Sequence, residues 1–316
     1  MFDNLLPKCG IEVRFVDGRD PKNFAEKVDG KTRAFFTEVC SNPSLDVFDI
    51  ESIANEAHEV GLPLIVDSTF ATPYLCRPLE FGADIITNSM TKWIGGHGVG
   101  IAGIIVDGGK FNWAGGNHPL FDEPDDSYNN LRWGHDLPET LAPLALKLRA
   151  MTCQLRNLGG CLSPDNAWMM LQGIETLSLR MDRHAENSLA VAEYLQAHEK
   201  VAWVRYPGLK DDPYYELQKK YLKGKGGGIV VFGIKSDDPM QAGKTIIDSF
   251  QMFSHVANVG DCKSLCIHPA STTHSQLNSE QLIAAGATPD LVRLSIGIES
   301  IDDIIADIDQ ALAKVS

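Results

Sequence analysis

A chain of 316 residues, 44% of them hydrophobic, can bury a substantial core, and its length points to about two domains. With 28 basic against 42 acidic residues the formal net charge is −14, which argues against nucleic acid or an anionic membrane as the main partner. No signal-peptide pattern opens the chain and no apolar run approaches the roughly 18 residues of a membrane span, so the cytoplasm is the expected compartment.

Residues 11–16 (IEVRFV) and 34–39 (AFFTEV) have strand character. A helix follows, because Ile50, Ile53, Ala54 and Ala57 recur at i, i+3, i+4 and i+7 before Gly61 and Pro63 stop it. Leu64-Ile65-Val66 is a continuous apolar run of the kind buried on both faces, and it ends at Asp67. Ala83-Asp84-Ile85-Ile86 begins another strand, ending at Asn88; a third, Gly103–Val106, is closed by Asp107-Gly108-Gly109. Strands alternating with helices or turns predict a mostly parallel sheet with right-handed crossovers.

The stretch 107–140 is irregular and long enough to be functional or an insertion. A long helical pattern covers 165–198, weakly interrupted at Gly173, and 224–234 (GKGGGIVVFGI) is a glycine-led strand. No G-K-[ST] follows those glycines, so they read as turns rather than as a phosphate loop. Strand 291–296 and an amphipathic helix over 302–314 close the chain. The pattern divides near residue 177, into 1–177 and a smaller domain, 178–316.

The seven cysteines are scattered, without a C-x-x-C. Cys262-x-x-x-Cys266 with His268 fits no zinc module, so no metal is expected. No G-x-G-x-x-G follows the first strand, which disfavours a nicotinamide-binding protein.

Chemistry concentrates in Ser89-Met90-Thr91-Lys92-Trp93-Ile94-Gly95-Gly96-His97-Gly98. Ligands of such sheets sit beyond the carboxyl ends of the strands, where both Asp67 and this segment fall. Pyridoxal phosphate (PLP) chemistry needs a lysine amine to form an imine and a carboxylate to keep the pyridine nitrogen protonated. Lys92 and Asp67 supply those two groups. Ser89 and Thr91, otherwise ordinary turn hydroxyls, can donate to a phosphate. Arg293 is a charge within the apolar strand Val292-Arg293-Leu294-Ser295-Ile296. Unpaired burial is too costly, so it meets an anion: an internal carboxylate, or a substrate carboxylate gripped by the planar fork.

The segment VDSTFATPYLCRPLEFGADIITNSMTKWIGGHG resembles the signature of the Cys/Met-metabolism family of PLP enzymes. FSHVANVGDCKSLCIHPASTTHSQ and LVRLSIGIESIDDIIADIDQAL are similar to its carboxyl-terminal motifs, and the match runs from about residue 5 to the end. The resemblance implies the type I PLP (aspartate-aminotransferase-like) α/β fold. It makes Lys92 the imine-forming lysine, Asp67 the pyridinium partner, Ser89 and Thr91 phosphate contacts, and Arg293 the carboxylate arginine. Asn42, in Ser41-Asn42-Pro43, matches an asparagine near the cofactor's ring oxygen, and Ser264 a position helping to hold substrate carboxylate and lysine. The implied reaction is γ-replacement, O-acetyl-L-homoserine plus sulfide giving L-homocysteine and acetate, in a homodimer or homotetramer. A γ-lyase or cystathionine γ-synthase is the alternative on the same scaffold; an inactive fragment serving as an oligomerisation module is another. Two departures stand out. The family's phosphate-binding helix start, stacking tyrosine and inter-subunit arm fall before Met1, so the chain is expected to be amino-terminally truncated. In addition, Thr37-Glu38-Val39-Cys40-Ser41-Asn42-Pro43 replaces a more usual E-T-I-G-N-P, placing a cysteine near the site.

Overall fold

The computed structural model describes residues 1–284 and 286–315. Its first sheet has the order β1-β2-β3-β4, built from Phe35–Glu38 (β1), Leu64–Asp67 (β2), Ile85–Ser89 (β3) and Gly103–Asp107 (β4). The first two pairings are parallel, with Glu38 opposite Asp67 and Asp67 opposite Thr87. β4 returns antiparallel, Ser89 facing Gly103. The sheet is therefore parallel only where it carries Asp67 and the approach to Lys92. Residues 11–16 form no strand: among the described residues no ladder partner reaches them, and Ile11 and Phe15 lie exposed.

Helix α1 (Ile50–Glu59) buries Ile50, Ile53, Ala54 and Ala57, the four positions its spacing marked. They pack with Leu64, Val66, Leu75 and Phe35 in one core. That core continues through Trp93, Met181, Ile229 and Leu291 into the second half of the chain. Trp93, fully buried, thus anchors the residue next to Lys92 at the junction of both halves.

The expected single helix over 165–198 is two, α2 (Pro164–Glu175) and α3 (Leu177–Ala197), broken at Thr176 rather than at Gly173. Gly173 stays helical because it lies against the Lys92 turn: a Cβ there would sit 2.4 Å from the Gly95 carbonyl oxygen and 2.5 Å from that of Ile94. The glycine permits contact, not a bend.

The second sheet has the order β5-β6-β9-β8-β7, from Val201–Arg205 (β5), Ile229–Ile234 (β6), Ser254–His255 (β7), Leu265–Ile267 (β8) and Leu291–Ser295 (β9). All its pairings except β7 with β8 are antiparallel. Helices α3, α4 (Pro239–Ser249) and α5 (Ile301–Leu312) cover it, and Val191, Leu195, Ile246, Ile304 and Ile308 fill the interior. Gly224, Gly226 and Gly227 have positive φ and form the turn that leads into β6. The 107–140 stretch forms short helical turns around its own small core of Trp113, Phe121 and Trp133.

Candidate active site

Asp67 and Lys92 are brought to one end of the first sheet by the parallel run of β2 and β3. Beyond β3 the chain closes a tight turn: the Lys92 N–H donates to the Ser89 carbonyl at 3.3 Å, Gly95 N–H to Met90 at 2.8 Å and Gly96 N–H to Lys92 at 2.7 Å. The Lys92 ammonium donates to Oδ1 of Asn258. Burial first, and then the Arg293 guanidinium, push its pKa below the usual lysine range. The consequence is a larger fraction of free amine, the form able to attack a carbonyl or take a proton.

Arg293 lies mid-strand in β9, where burial alone lowers its pKa to about 10. Nη1 donates to Asn42 Oδ1 at 2.9 Å and Nη2 to the Asn258 carbonyl at 3.2 Å. Among the described residues no carboxylate lies within ion-pair distance of it. The internal salt bridge allowed by the sequence is not formed among the described residues; the guanidinium is held by an amide oxygen and a peptide carbonyl instead. Lys92, Asn258, Arg293 and Asn42 thereby form one connected cluster, gathered from four separate stretches of chain.

Asp67 holds one carboxylate oxygen on the Thr69 N–H at 2.8 Å. Thr69 Oγ1 in turn accepts the Ser89 N–H at 2.9 Å, linking the ends of β2 and β3. Thr91 is used differently from expectation: its hydroxyl donates to the Ala102 carbonyl at 3.2 Å and accepts the Ala102 N–H at 3.1 Å. With its only proton spent there, it can donate to a phosphate only by breaking that bond. Ser264 lies outside the cluster. Its hydroxyl donates to Glu299 Oε2 at 2.9 Å and accepts the Gly297 N–H at 2.9 Å, and the residue is fully buried. Asn258, six positions earlier in the same loop, makes the lysine contact expected of it.

Two further residues escaped the sequence reading. Asn258 sits in an unpatterned loop and gave no signal. Arg180 did leave one, a charge among the apolar positions Leu177, Met181, Ala185 of α3. It is 4% exposed and donates to the carbonyls of Trp93 (2.6 Å), Ile94 (3.2 Å) and Gly173 (2.6 Å). Gly96, at φ +71, is required beneath it, since a Cβ would lie 2.1 Å from Nη1 of Arg180. Arg180 thus clamps the turn that carries Lys92. Arg180→Leu should lower folding stability by about 3 kcal/mol or more, because buried carbonyls lose their donors. Urea melts check this; a change within 0.5 kcal/mol, about the size of a surface substitution, would remove the clamp role.

A half-buried lysine with depressed proton affinity, a strand-end carboxylate, a guanidinium with no carboxylate partner among the described residues and the Ser89 hydroxyl beside the lysine suit an aldehyde cofactor with a pyridine ring and a phosphate. These features, on a parallel βα framework, define a lysine-linked PLP enzyme of the type I fold. The model of the Cys/Met metabolism PLP-dependent enzymes matches residues 1–313, and the chain belongs to that family. It is 50% identical over 315 residues to the O-acetyl-L-homoserine sulfhydrylase of Leptospira meyeri, covering 98% of this chain and 71% of that protein. It is 48% identical over 315 residues to the homocysteine synthase of Schizosaccharomyces pombe, covering 99% of this chain and 72% of that protein. Among solved structures it superposes, with a TM-score of 0.91 at 38% identity, on a putative O-acetylhomoserine (thiol)-lyase of Campylobacter jejuni that contains a pyridoxyl-lysine monophosphate. That match covers 98% of this chain and 73% of the other.

Proposed function

We propose that the protein catalyses γ-replacement on an activated homoserine, converting O-acetyl-L-homoserine and sulfide into L-homocysteine and acetate. The observation that carries this is the Lys92–Asn258–Arg293–Asn42 cluster beside Asp67, in a chain similar over almost its whole length to homocysteine-forming enzymes. Bound PLP supplies an electron sink that acidifies the protons on the substrate's α and β carbons. Lys92 would hold the cofactor through its amine, and the same amine would take the α-proton and move protons at the β carbon, a task its lowered proton affinity favours. Asp67 keeps the pyridine nitrogen protonated. The Arg293 fork, fixed on one side by Asn42, binds the substrate α-carboxylate and orients the labile bond. Ser89 supports the phosphate, and Thr91 joins it if its Ala102 bond yields. Acetate leaves the γ carbon with its electron pair, and the sulfur of sulfide forms the new bond there.

The same reading divides the chain at 177 into a cofactor-binding domain and a smaller carboxyl-terminal domain, and makes the protein a cytoplasmic homodimer or homotetramer. No helix among the described residues is long and apolar enough to cross a membrane. Exposed Leu158, Trp168 and Leu179 offer apolar surface for association.

The test is product analysis with O-acetyl-L-homoserine, PLP and the purified protein, with and without sulfide. Sulfide should yield homocysteine and acetate in equal amounts. Acetate released with 2-oxobutanoate and ammonia, regardless of sulfide, would make the enzyme a γ-lyase instead; cystathionine and acetate formed from added cysteine in preference to homocysteine from sulfide would make it a cystathionine γ-synthase.

A further inference from the structure

Glu38 plays no part in the chemistry above, yet it stands beside the residue assigned to the ring nitrogen. It ends β1 as Asp67 ends β2, and the two are register partners in a parallel pair. Such partners sit about 4.8 Å apart and point to the same face of the sheet. That face is the half-open one: Phe36 and Glu38 on β1 and Ile65 and Asp67 on β2 alternate with the buried Phe35, Thr37, Leu64 and Val66. Thr87, Asp67's partner on β3, brings no charge. From its own segment the Asn42 peptide N–H opposes Glu38's protonation, while the buried Cys40 thiol, itself pushed up by burial and by the Glu38 charge, stays neutral. Neither Lys92 nor Arg293 comes within ion-pair distance among the described residues. Two carboxyl groups this close, with no cation between them, cannot both ionise freely.

We propose that Glu38 and Asp67 form a carboxyl pair sharing one proton, with Glu38 the positioning residue that sets the charge Asp67 presents to the cofactor's ring. In the shared-proton state the pair carries a single negative charge, matched to one pyridinium. Burial, followed by the Asp67 charge, raises Glu38 to about 7, so the pair gains its second charge near neutral pH. This rests on the reading of Asp67 as the ring partner.

The test is a carbon-13 titration of the full chain labelled at its glutamate carboxyls, with Glu38 assigned by its disappearance in Glu38→Gln. The Glu38 midpoint should lie near 7. Asp67→Asn should lower it by about one pH unit or more, and loading with PLP should also lower it, since a pyridinium favours the ionised form. An ordinary carboxylate midpoint, or one that Asp67→Asn leaves in place, overturns the pairing. A second measurement holds if Asp67→Asn does not fold. A carboxyl whose folded pKa lies above its unfolded value binds more protons when folded, so the stability of the wild-type chain relative to Glu38→Gln should fall as pH rises from 4.5 to about 7. Taking this difference cancels the opposite contribution of the buried histidines, whose pKa is lowered; equal slopes for the two proteins overturn the proposal. None of these readouts uses turnover. Absence of homocysteine formation leaves the pair standing, and normal homocysteine formation with an ordinary Glu38 midpoint refutes the pair alone.

Discussion

Lys92→Ala should reduce homocysteine formation by about 10³-fold or more while the protein still folds. The side chain is only half-buried and its one hydrogen bond goes to Asn258, so little packing is lost. The turn itself persists, because it is built from backbone bonds at Ser89, Met90 and Gly96 and from the Arg180 clamp. What disappears is the amine that both holds the cofactor and moves protons at two carbons. Lys92→Arg should fare no better, since a guanidinium does not deprotonate in a protein. Added methylamine should restore part of the proton transfer in Lys92→Ala. Initial rates, with circular dichroism to verify the fold, measure the effect; turnover within tenfold of wild type would place the base elsewhere.

Asp67→Asn should have the second largest effect. The amide keeps the size of the carboxylate, and its oxygen can still accept the Thr69 N–H, so strand and turn are preserved. A neutral amide, however, no longer holds the pyridine nitrogen protonated, and the electron sink fails. Exchange of the substrate α-proton with solvent should slow by several orders of magnitude while cofactor binding is partly retained. Exchange is the better readout than turnover, because it reports the first proton transfer without the later loss of acetate. Unchanged exchange in Asp67→Asn would mean another group protonates the ring.

Both residues were legible in the sequence for one reason. Leu64–Val66 and Ile85–Ile86 are short apolar strand runs that end abruptly in polar residues, Asp67 and Thr87, at the carboxyl edge of the sheet, although β2 leaves one face half-open. Helix α1 was legible through its period, each marked position being buried. Strand direction was not. Gly103–Asp107 has the same apolar content whether it runs parallel or returns beside β3. Residues 11–16 alternate as a strand would, but alternation does not supply a ladder partner.

Ser264 and Asn258 show a sharper limit. Both lie in one loop, both are small and polar, and only the path of the backbone decides which side chain meets Lys92, a contact spanning 166 positions in sequence. Ser264 turns instead to Glu299 and Gly297. Arg293 stood out as a charge in an apolar strand, for which the sequence offered an internal carboxylate or a substrate carboxylate. That its protein partners would be an amide oxygen and a peptide carbonyl, with no carboxylate among the described residues, depended on the fold.

The claim on which everything else depends is that Lys92 is the residue linked to PLP. Incubating the protein with PLP, reducing with borohydride and mapping the peptides measures it directly. A pyridoxyl adduct on Lys92 is the predicted result. An adduct on a different lysine, with Lys92 unmodified, would contradict the account.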